Sequence, residues 1–320
     1  MRIVNEFEYA RASSLKEALS ILARRGKAAA PLAGGTDLVV NMKYRSMLQL
    51  AGGAKPPPDR FEATKRFPAI QHPEVVVSLR DIEELHGITT GSDRVAVGPL
   101  TTMAEIAANE ELPPALGALR DAAGIMGSPI IRNRATFGGN VINARPAADS
   151  AVALLALGGR LELASTSGRR WVNAEDFFTG PGTSVRRAEE LLVTLEMPCG
   201  PGQGSAYLRQ GTRRQLEIAL VGAAAWVEIA PGSGEISAAR IALGAVAPTP
   251  VTAPRAAQAL VGKPPDADNL SEAARTAREE AKPIDDFRGS AAYRLEVAEV
   301  LVQRALTNAV SRAGGKEDQP

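Results

Sequence analysis

The chain has 320 residues, 45% hydrophobic and 23% charged, which is the balance of a soluble globular protein with room for two or three domains. Thirty-seven basic against 36 acidic residues leave a formal net charge of +1, so no general electrostatic force draws it to nucleic acid or an anionic membrane. One cysteine, Cys199, and two histidines, His72 and His86, exclude an internal disulfide, a cysteine zinc site and an iron–sulfur cluster within this chain. Redox chemistry here would therefore need an organic cofactor or another chain.

The N-terminus, "MRIVNEFEYARASSLKEAL", has no continuous apolar core of a signal peptide. The most apolar later stretch, "LVGAAAWVEIA", is broken by Glu228, so no membrane span is predicted and the cytoplasm is the expected location. "SSLKEALSILARR" has helical apolar spacing, with Ser14 and Glu17 placed for a capping box. "AAAPLAGGTDLVVNMKYR" then predicts strand, turn and helix, with Thr36 at the N-cap and Asp37 in the first turn. Residues 51–73 carry three consecutive prolines, Pro56 to Pro58, and form a surface excursion in this reading, because "EVVVSLRDI" resumes a strand directly afterwards.

"RVAVGPL" predicts another strand and "TTMAEIAAN" a helix with Thr102 and Glu105 as a second capping box. "LPPALGALRDAAGIM" is helical after its prolines. "GSPIIRNRATFGGNVINARPAADSAVALLALGGRLELAS" predicts a glycine loop, a helical run and a strand, and "EELLVTLEMP" a further strand. Near residue 200 the texture changes. "SAYLRQGTRR", "ALVGAAAWVEIA" and "ISAARIALGAVAPTP" predict consecutive antiparallel strands, followed by the Ala-rich helices "SEAARTAREEA" and "SAAYRLEVAEVLVQRALTNAV". A domain boundary is placed there, giving residues 1–200, 205–313 and a disordered tail 314–320.

Two short stretches pair glycines with small polar residues, "AGGTD" and "TFGGN". Glycine allows backbone N–H groups to approach an anion closely, and a phosphate can bind such an amide nest. Neither stretch is G-x-G-x-x-G or G-x-x-x-x-G-K-[ST], which disfavours a Rossmann site or a P-loop. One glycine pair alone is more often a turn.

"PLAGGTDL" with "RNRATFGGNVINARPAADS", and "GAVAPTPVTAPRAAQAL" with "FRGSAAYRLEVAEVLVQRAL" in the C-terminal half, resembles the FAD-binding (medium) subunit of the molybdenum hydroxylases. That family includes bacterial xanthine dehydrogenase and aerobic carbon monoxide dehydrogenase. The resemblance implies an α+β protein: a two-lobed FAD-binding domain of the vanillyl-alcohol-oxidase (PCMH) type, then a small antiparallel sheet packed with helices. It maps the diphosphate wrap onto Pro31, Leu32, Ala33, Gly34, Gly35, Thr36, Asp37 and Leu38, with backbone N–H groups as donors. Thr136, Phe137, Gly138, Gly139 and Asn140 would supply further amides, although Phe137 suits packing better, and the alternative for Asn140 is a simple turn residue. Asp149 would accept from a ribityl or flavin donor, its alternative being a helix-start carboxylate. Arg209 would lie near the flavin, its alternative being a solvated strand charge. Met126 and Leu192 would be apolar cofactor contacts or plain core.

With no histidine in either stretch, the FAD would be non-covalent. The cysteine-rich insertion of the 4-hydroxybenzoyl-CoA reductase branch has no counterpart after "TFGGN". The implied assembly is a dimer of heterotrimers, with molybdopterin on a large partner and 2Fe-2S clusters on a small one. The flavin would link one-electron carriers to an external acceptor. Two rival readings stay open at this level: a self-contained flavin oxidase or reductase of the same fold, and a scaffold subunit without cofactor.

Overall fold

The computed structural model describes residues 6–43, 73–213 and 216–315. The proline-rich excursion up to residue 72, with His72, and residues 316–320 of the tail lie outside the described residues.

The chain begins with β1 (Glu8–Arg11), α1 (Leu15–Arg25) and β2 (Ala29–Leu32), followed by helical residues 38–43, here α2. β3 (Val75–Ser78) enters between β1 and β2 and pairs with both in parallel, giving the order β1-β3-β2. All four β3 residues are buried, the pattern of a central parallel strand. The Ser14 hydroxyl does cap α1 by accepting from the Glu17 N–H, but the Glu17 carboxylate reaches back to Ser13 rather than Ser14. The box is therefore displaced by one residue.

A second sheet is antiparallel, in the order β4-β5-β10-β6-β7. Its strands are β4 (Ile88–Thr90), β5 (Arg94–Val97), β6 (Arg160–Ser165), β7 (Gly168–Asn173) and, after the hairpin β8 (Phe178–Gly180) and β9 (Thr183–Ser184), β10 (Leu191–Pro198). Between β5 and β6 lie α3 (Met103–Ala108), α4 (Gly117–Ile125), α5 (Pro129–Arg132), α6 (Phe137–Ile142) and α7 (Asp149–Ala156). The Thr102–Glu105 capping box of α3 forms in full, each side chain satisfying the other residue's backbone N–H. The turn α8 (Ala174–Phe177) joins β7 to β8.

The third sheet, β11 (Gln203–Gln210), β12 (Val221–Ile229), β13 (Ile236–Gly244) and β14 (Val251–Thr252), is antiparallel in sequence order. It is followed by α9 (Pro254–Gln258), α10 (Ala267–Glu280) and α11 (Ala291–Ala313). Period-two alternation gives β12 two buried faces. Ala224 and Trp226 pack into the central core with Tyr207 and Ala242, whereas Val221, Ala223, Ala225 and Val227 pack under α9, α10 and α11. The helices can lie close because the residues they present are mostly alanine, including Ala298, Ala305 and Ala309 of α11.

Candidate cofactor-binding site

β2 ends at Leu32, whose carbonyl accepts from the Leu79 N–H at 3.0 Å. The chain then leaves the sheet and turns through residues 33–37 into α2. At Gly34 a Cβ would lie 1.7 Å from the Arg134 carbonyl oxygen and 2.6 Å from its carbon. Only glycine lets these two backbones touch. Gly35 has φ +77°, a conformation that side-chain-bearing residues rarely adopt. The N–H groups of Gly34, Gly35, Thr36 and Asp37 have no acceptor among the described residues. Four consecutive unspent donors are rare in a folded protein and form a ready anion seat.

The second stretch is built differently from its predicted form. "TFGGN" is not an open loop: Gly138, Gly139 and Asn140 lie inside α6, and Thr136 is its N-cap. The Phe137 N–H donates to the Thr101 carbonyl and the Gly138 N–H to the Pro99 carbonyl. The Gly139 N–H goes to Thr136 Oγ1 at 3.1 Å and the Asn140 N–H to the Thr136 carbonyl. These four N–H groups thus already have acceptors within the chain, and their role as phosphate donors remains an expectation. The capped helix start consumes them, because a helix spends its first N–H groups on whatever acceptor lies nearest. What this segment still offers is side chains. The Thr136 hydroxyl can donate while accepting from Gly139, and Asn140 accepts from Ser150 Oγ on Oδ1 (2.7 Å) and keeps its amide donors.

The two stretches nonetheless meet. Gly34 lies on Arg134 and Ala135, immediately before Thr136, and a Cβ on Gly139 would be 4.0 Å from the Ala33 Cβ. The glycines of α6 do unequal jobs. A Cβ on Gly138 would sit 2.4 Å from Pro99 Cβ and 2.8 Å from its Cα and carbonyl oxygen, all rigid, whereas on Gly139 it meets the Thr136 hydroxyl at 2.8 Å. Gly138→Ala is expected to cost about 1–3 kcal/mol by overpacking. In Gly139→Ala the roughly 1 kcal/mol gain in helix propensity largely offsets the strained cap. Thermal melts of the two variants, side by side, check this order.

Asp149 and Arg209 were separate predictions; the structure joins them. Asp149 starts α7 and Arg209 lies near the end of β11, and their side chains are 6% and 5% exposed. Arg209 Nη1 donates to Asp149 Oδ2 at 3.1 Å and the Tyr207 hydroxyl to Oδ1 at 2.5 Å. The same guanidinium donates to the carbonyls of Glu217 and Ile125. The alternative of a solvated strand charge for Arg209 is thus overturned. Burial pushes the Asp149 carboxyl up from its ordinary value, and Arg209, then the Tyr207 hydrogen bond, pull it back. Burial first, and Asp149 second, raise the Tyr207 phenol well above its ordinary value, so it stays a donor. Tyr207 was missed in the sequence, although strand alternation puts it on the same face as Arg209.

Met126 and Leu192 are buried in the central core cluster with Phe137. Met126 ends α4, and its carbonyl accepts from Arg132 Nη1 at 3.0 Å. Leu192 pairs with Leu163 across the second sheet. Leu38 lines an apolar groove with Leu32, Val39, Met42 and Tyr9, beside the first loop. His86 is exposed at the end of a helical turn, its Nε2 3.0 Å from the Arg80 carbonyl. Among the described residues no cluster of His, Cys, Asp and Glu could hold a metal ion.

Comparison with known proteins fits this geometry. A family model described as the FAD binding domain in molybdopterin dehydrogenase matches residues 64–200. The CO dehydrogenase flavoprotein C-terminal domain matches residues 206–309. The chain is 32% identical to the carbon monoxide dehydrogenase medium chain of Afipia carboxidovorans, over 97% of this chain and 99% of that one. It belongs to the FAD-binding (medium) subunits of the molybdenum hydroxylases. The xanthine dehydrogenase FAD-binding subunit of Escherichia coli is 30% identical over 96% of this chain and 97% of its own. Among solved structures, reconstituted CO dehydrogenase from Oligotropha carboxidovorans superposes with TM-score 0.84 at 32% identity, covering 97% of this chain and 100% of that one. Quinoline 2-oxidoreductase from Pseudomonas putida 86 gives 0.82 at 29%, covering 98% and 99%. The medium subunit therefore has the two-lobed FAD-binding fold followed by the C-terminal flavoprotein domain.

FAD fits the residues present. The unspent amides of Gly34 to Asp37 suit its diphosphate.

Proposed function

We propose that this medium subunit holds FAD non-covalently and passes electrons to it from the 2Fe-2S clusters of a small partner subunit, while a large partner oxidises the substrate at molybdopterin. The run of unspent amides from Gly34 to Asp37 carries this reading, because backbone N–H groups without acceptors suit a diphosphate. FAD supplies the exchange between one-electron carriers and a two-electron acceptor. The chain's own part is to bind and orient it. Residues 31–38 take the diphosphate, Thr136 and Asn140 contribute side-chain groups, and the Asp149–Arg209 pair fixes the wall behind. The proposed division is an FAD-binding domain to residue 200 and a C-terminal domain from residue 205, and the proposed location is the cytoplasm. No described helix is long and apolar enough to cross a membrane.

The substrate belongs to the large partner in this reading. Relatives named for xanthine, carbon monoxide and glyceraldehyde match this chain at 30%, 32% and 31% identity, so its sequence favours none of them. Co-expression with the neighbouring reading frames tests the assembly. Recovery of a heterotrimer with flavin, iron and molybdenum is the expected result, and a lone colourless chain after incubation with FAD would sink it. A self-contained oxidase would instead turn over an organic substrate without partners.

A further inference from the structure

β11 is the outer strand of the third sheet, and an outer strand leaves the N–H and C=O groups of alternate residues facing away from its one neighbour. Along β11, Ser205, Tyr207 and Arg209 each bond to α4 or to the turn before it. Ser205 Oγ accepts from the Ala118 N–H at 2.9 Å and donates to the Ala115 carbonyl at 2.8 Å. The Tyr207 N–H donates to Asp121 Oδ2 at 3.0 Å, and Arg209 Nη2 to the Ile125 carbonyl at 2.8 Å. One helical turn rises about 5.4 Å and two strand residues about 6.8 Å, so successive turns of α4 meet alternate residues of β11.

The last turn of α11 locks this seam. Arg312 Nη1 donates to the Ser205 carbonyl at 2.7 Å. The same guanidinium grips both carboxylate oxygens of Asp121, Nη1 to Oδ2 at 2.7 Å and Nη2 to Oδ1 at 3.0 Å. Asp121 on α4 therefore holds the backbone of β11 and the end of α11 at once. The Arg312 and Asp121 side chains are 9% and 23% exposed, so water screens the pair little. Gly117 makes room for it: a Cβ there would lie 2.4 Å from Arg312 Nη1 and 2.5 Å from the Ser205 carbonyl oxygen. Arg312 stands 191 positions after Asp121 and beyond residue 309, where the C-terminal family match ends.

α4 in turn carries the floor of the first loop. The Met126 carbonyl at its end accepts from Arg132 Nη1 of α5 at 3.0 Å. α5 passes into Arg134 and Ala135, whose N–H groups both donate to the Ile131 carbonyl, at 3.0 and 2.7 Å. These are the two residues against which Gly34 lies. A shift of α4 along β11 moves that backbone, and with it the support of the amide run.

We infer that Arg312 is a positioning residue for the cofactor: through Asp121 it fixes α4, and α4 fixes the floor of the Gly34–Asp37 loop. This rests on the assignment of FAD to that loop. The test measures FAD affinity of the full chain by flavin fluorescence, with the visible circular dichroism of the bound flavin and the melting temperature, in Arg312→Met, Arg312→Lys, Asp121→Asn and Leu270→Ala. Leu270 is the control, because it is buried in the cluster under α9, α10 and α11, whereas α4 packs in the central one. Arg312→Met and Asp121→Asn should weaken FAD about tenfold or more and change the dichroism of the flavin that still binds. Arg312→Lys should recover part of the affinity, since an ammonium keeps the charge but not the two-pronged grip. Leu270→Ala should melt lower and keep wild-type affinity and dichroism. Wild-type affinity in Arg312→Met or, should that variant not fold, in Asp121→Asn overturns the inference and leaves the loop assignment intact. An equal loss in Leu270→Ala also overturns it, because lowered stability alone would then account for the effect. A wild-type chain that binds no FAD overturns the loop assignment and this inference together.

Discussion

Gly34→Ala is expected to strip FAD from the protein. The added Cβ would lie 1.7 Å from the Arg134 carbonyl oxygen, a backbone atom that no side-chain rotation can move. Relief requires the first loop to lift off residues 134–135, which separates the amide run from Thr136 and α6. The stability cost is about 1–3 kcal/mol, as for other overpacked sites. The functional cost is larger, because the run of N–H groups without acceptors is carried by this loop. Gly35→Ala is the milder neighbour. Its strain comes from φ +77°, costing about 1–2 kcal/mol, and its nearest contact is the movable Leu32 Cδ1 at 3.1 Å. Flavin content after gel filtration, measured from the visible spectrum, ranks the two. Gly34→Ala retaining a full complement of flavin would remove this loop from the site.

Asp149→Ala is expected to be the most destabilising single change outside the core, at about 3–5 kcal/mol. It leaves the Arg209 guanidinium, 5% exposed, with only the Glu217 and Ile125 carbonyls. It also deprives the Tyr207 hydroxyl of its acceptor. Arg209→Met strands the anion instead, and its penalty should depend on pH. The Asp149 carboxyl is already raised in the folded protein, and without Arg209 it rises further. A carboxyl with a raised folded value binds its proton more tightly folded than unfolded, so it loses stability as pH rises from the unfolded value through the folded one. The penalty of Arg209→Met should therefore shrink as pH falls into that window, where the stranded carboxyl can protonate. The double variant Asp149→Ala, Arg209→Met should cost less than the sum of the two single changes, because no charge is left buried alone. Urea titrations at several pH values measure all three; strict additivity would rule out a coupled pair.

Local chemistry was legible where neighbours in sequence satisfy one another. Thr102 and Glu105 form the predicted capping box because both partners lie within one turn. The three strands after residue 200 follow from apolar runs punctuated by glycine. In the first box Ser14 still caps, while the Glu17 carboxylate accepts from Ser13 instead of the Ser14 N–H, a one-residue shift that no spacing rule separates. "TFGGN" misled more deeply. Two adjacent glycines argue against a helix by about 1 kcal/mol each, and packing of Gly138 onto Pro99 overrides that preference. The cap by Thr136 was available in the sequence, since a threonine before an apolar run is a helix-start signal.

The sequence by itself determined that one cysteine cannot build an iron–sulfur cluster or a cysteine zinc site within this chain, and that its paired-glycine motifs resemble those of a flavoprotein subunit. Composition and short motifs suffice for that, because cysteine count and glycine freedom are properties of single residues. Only the tertiary structure decided which motif keeps its amides for an anion, and that Asp149 and Arg209 are partners. Both outcomes depend on contacts between segments far apart in the chain, Gly34 with Arg134 and Asp149 with Arg209. Hydrogen-bond donors are spent on the nearest acceptor in space, and nearness across such separations is set by packing.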